Sequence, residues 1–220
     1  NNQLSSLDVS NNPALFDLRC IDNQLTSIDV SANPALYILI CDSNQLTSLD
    51  VSDNNALAAL YCYNNQLTSL DVSANPALVE LSCDNNQLTS LDVRNGNNTD
   101  FWFFNATTNP NLTCIFVDDV SYSFANWTDI DPASTFVENE AECSALYTAI
   151  PDPNFEQALI DLGIDTNPTI DGQVLTADIE GVTQLGVSSK NIADLTGIEG
   201  FISLTELFCF SNQLTSLDVT

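Results

Sequence analysis

The string "NNQLTSLDVSANPALVELSCD" occupies residues 64–84, and nearly the same string occurs three times upstream. Each copy places a cysteine at the same point, and the period between these cysteines is 21 residues. Within one period the template apolar-x-x-apolar-x-apolar occurs twice, ending once in Leu-x-Cys and once in Leu-Asp-Val. A fixed period of this length is typical of repeat proteins, whose successive units bury a core by stacking.

Both halves of the period end in an apolar-x-apolar triplet, which predicts a short strand with alternate side chains inward. Successive repeats would lie about 4.8 Å apart and form two parallel sheets. We name them the LxC sheet and the LDV sheet after their triplets. An asparagine three residues after each cysteine, as at Asn23 and Asn44, can satisfy backbone groups at the bend. The sequence therefore predicts a repeat solenoid that is mainly β.

The repeats do not fill the chain, and the order of the remaining segments is unusual. Residues 94–143 lose the period and cluster aromatic side chains, which predicts a cap over the end of the core or, alternatively, an aromatic ligand pocket. "IPDPNFEQALIDLG" at 150–163 predicts a helix, because Asp152 can be the N-cap and Pro153 the first helical residue. The predicted domains are the array (1–93), its C-terminal cap (94–143), a linker (144–150), an N-terminal cap with a helix (151–180) and the first repeats of a next unit (181–220).

The consensus "LxxLxCxxNxLTSLDVSxNPxL" resembles the cysteine-ladder leucine-rich repeats of internalin J and related secreted bacterial surface proteins. The segment 182–219 resembles the first repeats of that class, and the resemblance covers residues 1–117 and 181–220. It implies a leucine-rich repeat fold, a secreted or cell-surface location and a role in adhesion or recognition. No catalytic residue carries over from this family.

The cysteines fall into two groups. In-register parallel strands give parallel Cβ vectors that cannot form a disulfide, and a buried cysteine behaves as a small hydrophobic residue. We therefore predict a structural ladder of free core thiols at Cys20, Cys41, Cys62, Cys83 and Cys209. A metal-binding stack is the alternative, although metal-binding cysteines usually come in clusters with short spacings. Cys114 and Cys143 lie outside the ladder, and we predict a disulfide between them, as in extracellular proteins.

The outward positions of the two predicted sheets differ in how much they vary. On the LDV side they are nearly constant, whereas on the LxC side they change from repeat to repeat and include aromatic and branched residues. Exposed residues of this kind on a regular sheet predict a partner-binding face. An intrinsic strand preference of these residue types is the alternative. The predicted face consists of Phe16, Tyr37, Ile38, Ile40, Tyr61 and Tyr63, with Phe208 and Phe210 at the equivalent positions of the second array.

An aspartate recurs at the same outward position of the LDV half, at Asp29, Asp50, Asp71 and Asp92. Carboxylates about 5 Å apart repel one another by roughly 1 kcal/mol in water. Hydrogen bonds from neighbouring serine and threonine hydroxyls would relieve this repulsion. A ladder of Ca²⁺ or another hard cation is the alternative, because such ions bind carboxylate oxygens. No other metal or cofactor is expected.

Charge and composition argue against several classes of function. Thirty acidic residues face only Arg19, Arg94 and Lys190, and the net charge is −27. Phosphate binding needs clustered basic residues, so we expect no nucleic-acid partner. No apolar run reaches about 18 residues, so we expect no membrane insertion. Histidine is absent, which removes the commonest general base, and we expect no enzyme.

Two non-catalytic functions remain. The cap order predicts a structural unit of an extracellular tandem fibre or surface protein, in which neighbouring copies join head to tail, either covalently or not. The alternative is an adhesin or recognition module that binds a host or cell-surface protein or glycan on the LxC face. Four N-x-T sequons, which matter only if the source glycosylates asparagine, lie at Asn97, Asn105, Asn111 and Asn126.

Overall fold

The computed structural model describes residues 2–217, and it is mostly β, with short parallel strands and few helices. The chain forms two compact units, Asn1–Asn139 and Glu140–Thr220. The boundary falls inside the segment 94–143 that the sequence predicts as a cap. The predicted head-to-tail junction involves Asn1 and Thr220, which lie outside the described residues.

Within its described residues the first unit contains nine strands, one α-helix and a 3₁₀ turn at Asn98–Asp100. The elements are β1 (Asp17–Arg19), β2 (Ile38–Ile40), β3 (Ala59–Tyr61), β4 (Ser69–Asp71), β5 (Glu80–Ser82), β6 (Ser90–Asp92), β7 (Phe103–Asn105), β8 (Cys114–Phe116), α1 (Val120–Asn126) and β9 (Thr135–Val137). Five of the strands form a parallel sheet in the order β1-β2-β3-β5-β7, which is the LxC sheet. Four form a second parallel sheet in the order β4-β6-β8-β9, which is the LDV sheet.

Strand pairing in the LxC sheet follows the 21-residue period. Leu18 pairs with Leu39, Leu39 with Leu60 and Leu60 with Leu81, so equivalent residues of successive repeats lie side by side. The column of inward residues then reaches Phe104 across the short insertion before β7. The leucines of β2, β3 and β5 are fully buried. One side chain per repeat occupies the same place in the core, so the core packing requires the same residue spacing in successive repeats.

The LDV sheet is shorter than the sequence predicts. Its strands begin at Ser69, and within residues 2–217 the three earlier Leu-Asp-Val or Ile-Asp-Val triplets form no strand. Two of its four strands, β8 and β9, come from the segment after the regular repeats. A buried asparagine amide joins neighbouring repeats on this side, both in the repeats without these strands and in those with them. Asn33 donates from Nδ2 to the carbonyl oxygens of Val9 and Asn12, at 3.0 and 2.8 Å.

A second asparagine ladder fixes the turns that follow the LxC strands. Asn44 donates to the carbonyl oxygens of Cys20 and Cys41, both at 3.0 Å, and its Oδ1 accepts from the amide of Leu25. One side chain therefore satisfies buried backbone groups in two repeats at once. Ser43, the residue directly before this asparagine, has a φ of +55°. The left-handed conformation closes the bend there.

Aromatic rings close the end of the first core. Trp127 stacks on Phe104 with ring centroids 4.2 Å apart, and Phe136 meets Trp127 edge to face at 5.8 Å. The three rings are buried, so most of the aromatic cluster shields the core rather than lining a pocket. Helix α1 begins at the N-cap Asp119, whose side chain accepts from the amide of Tyr122 at 2.8 Å. Trp102 is an exception in this cluster, with an exposed fraction of 69%.

Within its described residues the second unit contains three α-helices, a 3₁₀ turn at Ile198–Gly200 and four strands that form two separate two-stranded sheets. Its elements are α2 (Glu140–Ala145), β10 (Tyr147–Ala149), α3 (Pro153–Asp161), β11 (Gln173–Leu175), α4 (Thr176–Ile179), β12 (Gln184–Gly186) and β13 (Glu206–Phe208). β10 pairs antiparallel with β11, and β12 pairs parallel with β13. Asp152 caps α3 by accepting from the amides of Asn154 and Phe155, as the sequence predicts. Its other oxygen accepts from Ala193 and Asp194, which ties the helix to the repeats of this unit.

Candidate binding face

The ladder cysteines are chemically quiet. Cys20, Cys41, Cys62 and Cys83 are free and buried, whereas Cys209, also free, is partly buried. Burial raises the pKa of Cys20 to about 11, and it also raises the pKa of the other three buried thiols. Burial thus keeps these thiols protonated at neutral pH, and a protonated thiol is a poor nucleophile.

The two cysteines outside the ladder differ in state from the five within it. Cys114, in the first unit, is disulfide-bonded, and so is Cys143, in the second. The pairing of these two with each other stays a prediction from the sequence.

The aspartate column of the LDV side is hydrogen-bonded within each repeat. Asp29 accepts from the Ser31 amide at 3.0 Å and from the Ser31 hydroxyl at 2.6 Å. Asp50 accepts from the Ser52 amide in the same way, and these hydrogen bonds lower the pKa of both carboxyl groups. Across residues 2–217 no three His, Cys, Asp or Glu side chains converge as a metal site would require. Through these hydrogen bonds the aspartates stabilise the turns of their own repeats.

The outer surface of the five-stranded sheet, which we call the LxC face, carries two stacked pairs of rings. Phe16 stacks on Tyr37 with centroids 5.0 Å apart, and Tyr61 stacks on Phe103 at 5.9 Å. Between the pairs the buried side chains of Ala58 and Ala59 leave a floor without bulky groups. The face therefore combines two pairs of aromatic rings with a small apolar floor, and charged side chains such as Asp17, Arg19 and Glu80 lie on the same sheet.

Exposure on this face is uneven. Phe16 is 56% and Tyr37 42% exposed, whereas the four other predicted residues of the first unit, Ile38, Ile40, Tyr61 and Tyr63, are partly buried. The most exposed aromatic residue of the unit is Trp102, which directly precedes β7 and which the sequence reasoning did not place on the face. The insertion before β7 breaks the 21-residue spacing, so the sequence alone does not align Trp102 with the face. In the structure its amide donates to the carbonyl oxygen of Val79, as the amide of Tyr37 donates to that of Phe16.

Three carboxylates on the LxC face lie beside neutral hydroxyl groups. The Tyr61 hydroxyl donates to Glu80 at 2.5 Å and the Ser82 hydroxyl donates to Asp84 at 2.6 Å, whereas Asp42 is a neighbour of Tyr63. Burial and then the Glu80 carboxylate raise the pKa of Tyr61 to about 12, and the neighbouring Asp42 raises the pKa of Tyr63. Sequence reasoning missed Tyr61–Glu80 and Tyr63–Asp42 because each joins different repeats, whereas Ser82 and Asp84 form a local contact two residues apart.

Asp42 is the least accessible of the three carboxylates. Only 2% of its surface is exposed, and burial raises its pKa. Its Oδ1 atom has no hydrogen-bond partner among residues 2–217. A buried carboxylate oxygen without a donor is costly, and no group among the described residues offsets that cost.

The remaining predicted residues belong to the second unit. Phe208 lies at the end of β13 and Phe210 two residues beyond it, and both rings are exposed. Asn212 follows them and donates to the carbonyl oxygens of Val187 and Cys209, at 2.8 and 3.0 Å. This repeat therefore builds its turn as the first unit does, and it presents aromatic side chains at the corresponding strand.

Comparison with known proteins adds little to this geometry. No protein-family model matches the chain, and no curated protein matches it. Among solved structures it is similar to the functional domain of InlJ from Listeria monocytogenes, which is described as including a cysteine ladder. The identity is 22% and the TM-score 0.40, over 100% of this chain and 44% of that one. The chain thus spans less than half the length of this neighbour. Within residues 2–217 no helix is long and apolar enough to cross a membrane.

Proposed function

We propose that the chain is a non-catalytic recognition module of a secreted or cell-surface protein, and that it binds its ligand on the LxC face. In this proposal the parallel sheets belong to a leucine-rich repeat solenoid. Inward leucines and cysteines build the spine of that solenoid, and the outward LxC positions determine the ligand. A host or cell-surface protein and a glycan are the two classes of ligand that the sequence leaves open.

The observation that carries the proposal is the contrast between two sides built from the same repeat. The LDV side repeats one aspartate in an identical local hydrogen bond, whereas the LxC side presents a different set of outward residues in every repeat. Positions that pack against the same neighbours in every repeat must keep the same residue type. Positions whose residue type changes from repeat to repeat are not constrained in this way and can be selected to fit a partner. Exposed, stacked aromatic residues are also what binding surfaces concentrate.

Binding to arrays of extracellular proteins and glycans tests this function. The double variant Tyr37→Ser, Trp102→Ser removes exposed rings from the LxC face. Phe124→Ser is the matched control, because Phe124 is an exposed ring on α1, away from this face. We expect reproducible ligands of the wild type to be lost by the double variant and kept by the control. Ligands that the double variant binds normally, or no ligand at all, would contradict the proposal.

Head-to-tail assembly is a second proposal, and it concerns the ends of the repeat stacks. Its support is that, within residues 2–217, β1 and β13 each pair with one strand only, and that Leu18 in β1 and Leu15 just before it are partly exposed. A further repeat, from a longer polypeptide or from another copy, would cover such an edge. Electron microscopy of native material tests this proposal. Regular filaments are expected, and isolated single units would contradict it.

A further inference from the structure

The charge pattern of the LxC face identifies a class of ligand. We propose that the face binds a basic protein segment, whose arginine or lysine side chains meet Asp42, Glu80 and Asp84. This inference rests on the proposed function, because it names the chemistry of the ligand on that same face.

The first observation is that the three carboxylates are fixed but not neutralised. Glu80 and Asp84 each accept from a hydroxyl group, of Tyr61 and Ser82, and Asp42 is held in place by its burial. Neither a hydroxyl donor nor burial supplies a positive charge to neutralise the carboxylate. A carboxylate that is already oriented loses little conformational freedom when a cation binds it. The face is thus pre-organised for positive charge.

The second observation is where the basic residues of the chain lie. Arg19, Arg94 and Lys190 are the only three, and each pairs with an aspartate. Arg19 pairs with Asp17 at 2.9 Å on β1, at the edge of the LxC face, whereas Arg94 pairs with Asp92 at 2.5 Å and Lys190 with Asp161 at 2.9 Å. Strands β2, β3 and β5 contain no lysine or arginine. Among the described residues no salt bridge therefore involves Asp42, Glu80 or Asp84, and a positively charged partner is the complementary one.

The third observation is the surroundings of the carboxylates. The Tyr61 hydroxyl donates to Glu80, and Tyr63 is a neighbour of Asp42, so a cation at either carboxylate lies near an aromatic ring. A guanidinium group stacks on such rings, and its aliphatic stem can cover the apolar floor at Ala58 and Ala59. The buried Oδ1 of Asp42, unpartnered among residues 2–217, supplies an acceptor that a guanidinium donor would satisfy.

A neutral glycan fits these observations less well. Sugar rings stack on exposed aromatic residues, and their hydroxyl groups can donate to carboxylates. They bring no positive charge, however, so three carboxylates would lose water on binding without gaining a counter-ion. Charge complementarity accordingly favours the basic segment.

A fluorescent nonapeptide of alternating arginine and serine is the probe, and the same peptide with citrulline in place of arginine is its neutral control. Affinity is measured by fluorescence anisotropy at about 0.15 M salt, where long-range attraction to the acidic protein is screened. The test variant is Asp42→Asn, Glu80→Gln, Asp84→Asn. The matched control is Asp29→Asn, Asp50→Asn, Asp71→Asn, which removes the same charge from the LDV side. Thermal unfolding verifies that both variants are folded.

We expect the arginine peptide to bind the test variant at least about tenfold more weakly than the wild type and the control variant within about twofold of it. The citrulline peptide should not bind. Equal weakening of both variants would show diffuse attraction and overturn the proposal, as would citrulline binding as tight as arginine binding. If array ligands are neutral glycans, lost with Tyr37→Ser, Trp102→Ser but kept by the charge variant, the ligand class is wrong while the recognition function stands.

Discussion

The LxC and LDV sides of the first unit are made from the same 21-residue repeat, yet they obey different rules. On the LDV side Asp29, Asp50 and Asp71 accept from the amide of the serine two residues later, and Asp92 accepts from Arg94 at the same spacing, so this contact is complete within one repeat. On the LxC side Ser82 bonds locally to Asp84, but the Tyr61 hydroxyl donates to Glu80 of the next repeat, so this side also has a side-chain contact between repeats. The comparison teaches that a repeat can keep one side constant for folding and leave the other free to vary.

The asparagine ladders allow the largest test of this comparison. Asn65 follows the LxC strand, donates to Cys41 and Cys62, and accepts from the amide of Leu46. Asn75 follows the LDV triplet and donates to Val51 and Asn54, but its Oδ1 has no partner among residues 2–217. At about 1 kcal/mol per hydrogen bond, more where a buried group is left unsatisfied, Asn65→Ala should cost about 3–4 kcal/mol. Asn75→Ala should cost about 2 kcal/mol.

Urea unfolding of both variants measures the difference in the free energy of unfolding. The expected difference between the two turns would be contradicted if Asn75→Ala reduced the free energy of unfolding as much as Asn65→Ala does, or more.

The next test concerns the inward side of the LxC strands. Cys62 is fully buried, and burial raises its pKa. Cys62→Ser would bury a hydroxyl group in an apolar site and should reduce the free energy of unfolding by about 1–3 kcal/mol. Cys62→Ala, which adds no polar group, should cost less. Thermal unfolding of both variants checks this, and an alanine variant less stable than the serine variant would contradict it.

Asp42→Asn should have a smaller effect and the opposite sign. Burial raises the folded-state pKa of Asp42, so the ionised carboxylate destabilises the fold above that pKa. We expect the variant to be more stable than the wild type at pH 7. The difference should shrink as the pH falls through the raised pKa and vanish below about pH 3.9, the unfolded value. Urea midpoints at pH 7 and pH 3 measure this, and a less stable variant at pH 7 would contradict it.

The smallest expected effect lies on the LDV side. The Ser31 hydroxyl and then the Ser31 amide lower the pKa of Asp29. Ser31→Ala removes the hydroxyl, so the pKa of Asp29 should rise part of the way to its ordinary value. The stability that this bond contributes is present above the unfolded pKa and is lost as the pH falls through the folded one. A carboxyl NMR titration measures the pKa, and an unchanged value would show that the amide alone sets it.

Periodic features were predictable from the sequence and others were not. The inward columns and the helix cap at Asp152 follow from spacing and local chemistry, which a single sequence displays. The late start of the LDV strands at Ser69 does not, because the triplets before and after it are nearly identical. The hydroxyl–carboxylate pairs also escaped prediction. Tyr61 and Glu80 are 19 residues apart, and only the register between strands brings them together.

NMR shift mapping tests the central claim, that the LxC face is the recognition face, most directly. Labelled protein would be titrated with the arginine–serine nonapeptide under the same salt conditions as the binding assay. The account predicts saturable amide shifts confined to residues 37–42, 58–63 and 79–84, with the aspartate turns at 29–31, 50–52 and 71–73 unchanged. Shifts centred on those turns, or spread evenly over both sides, would contradict it.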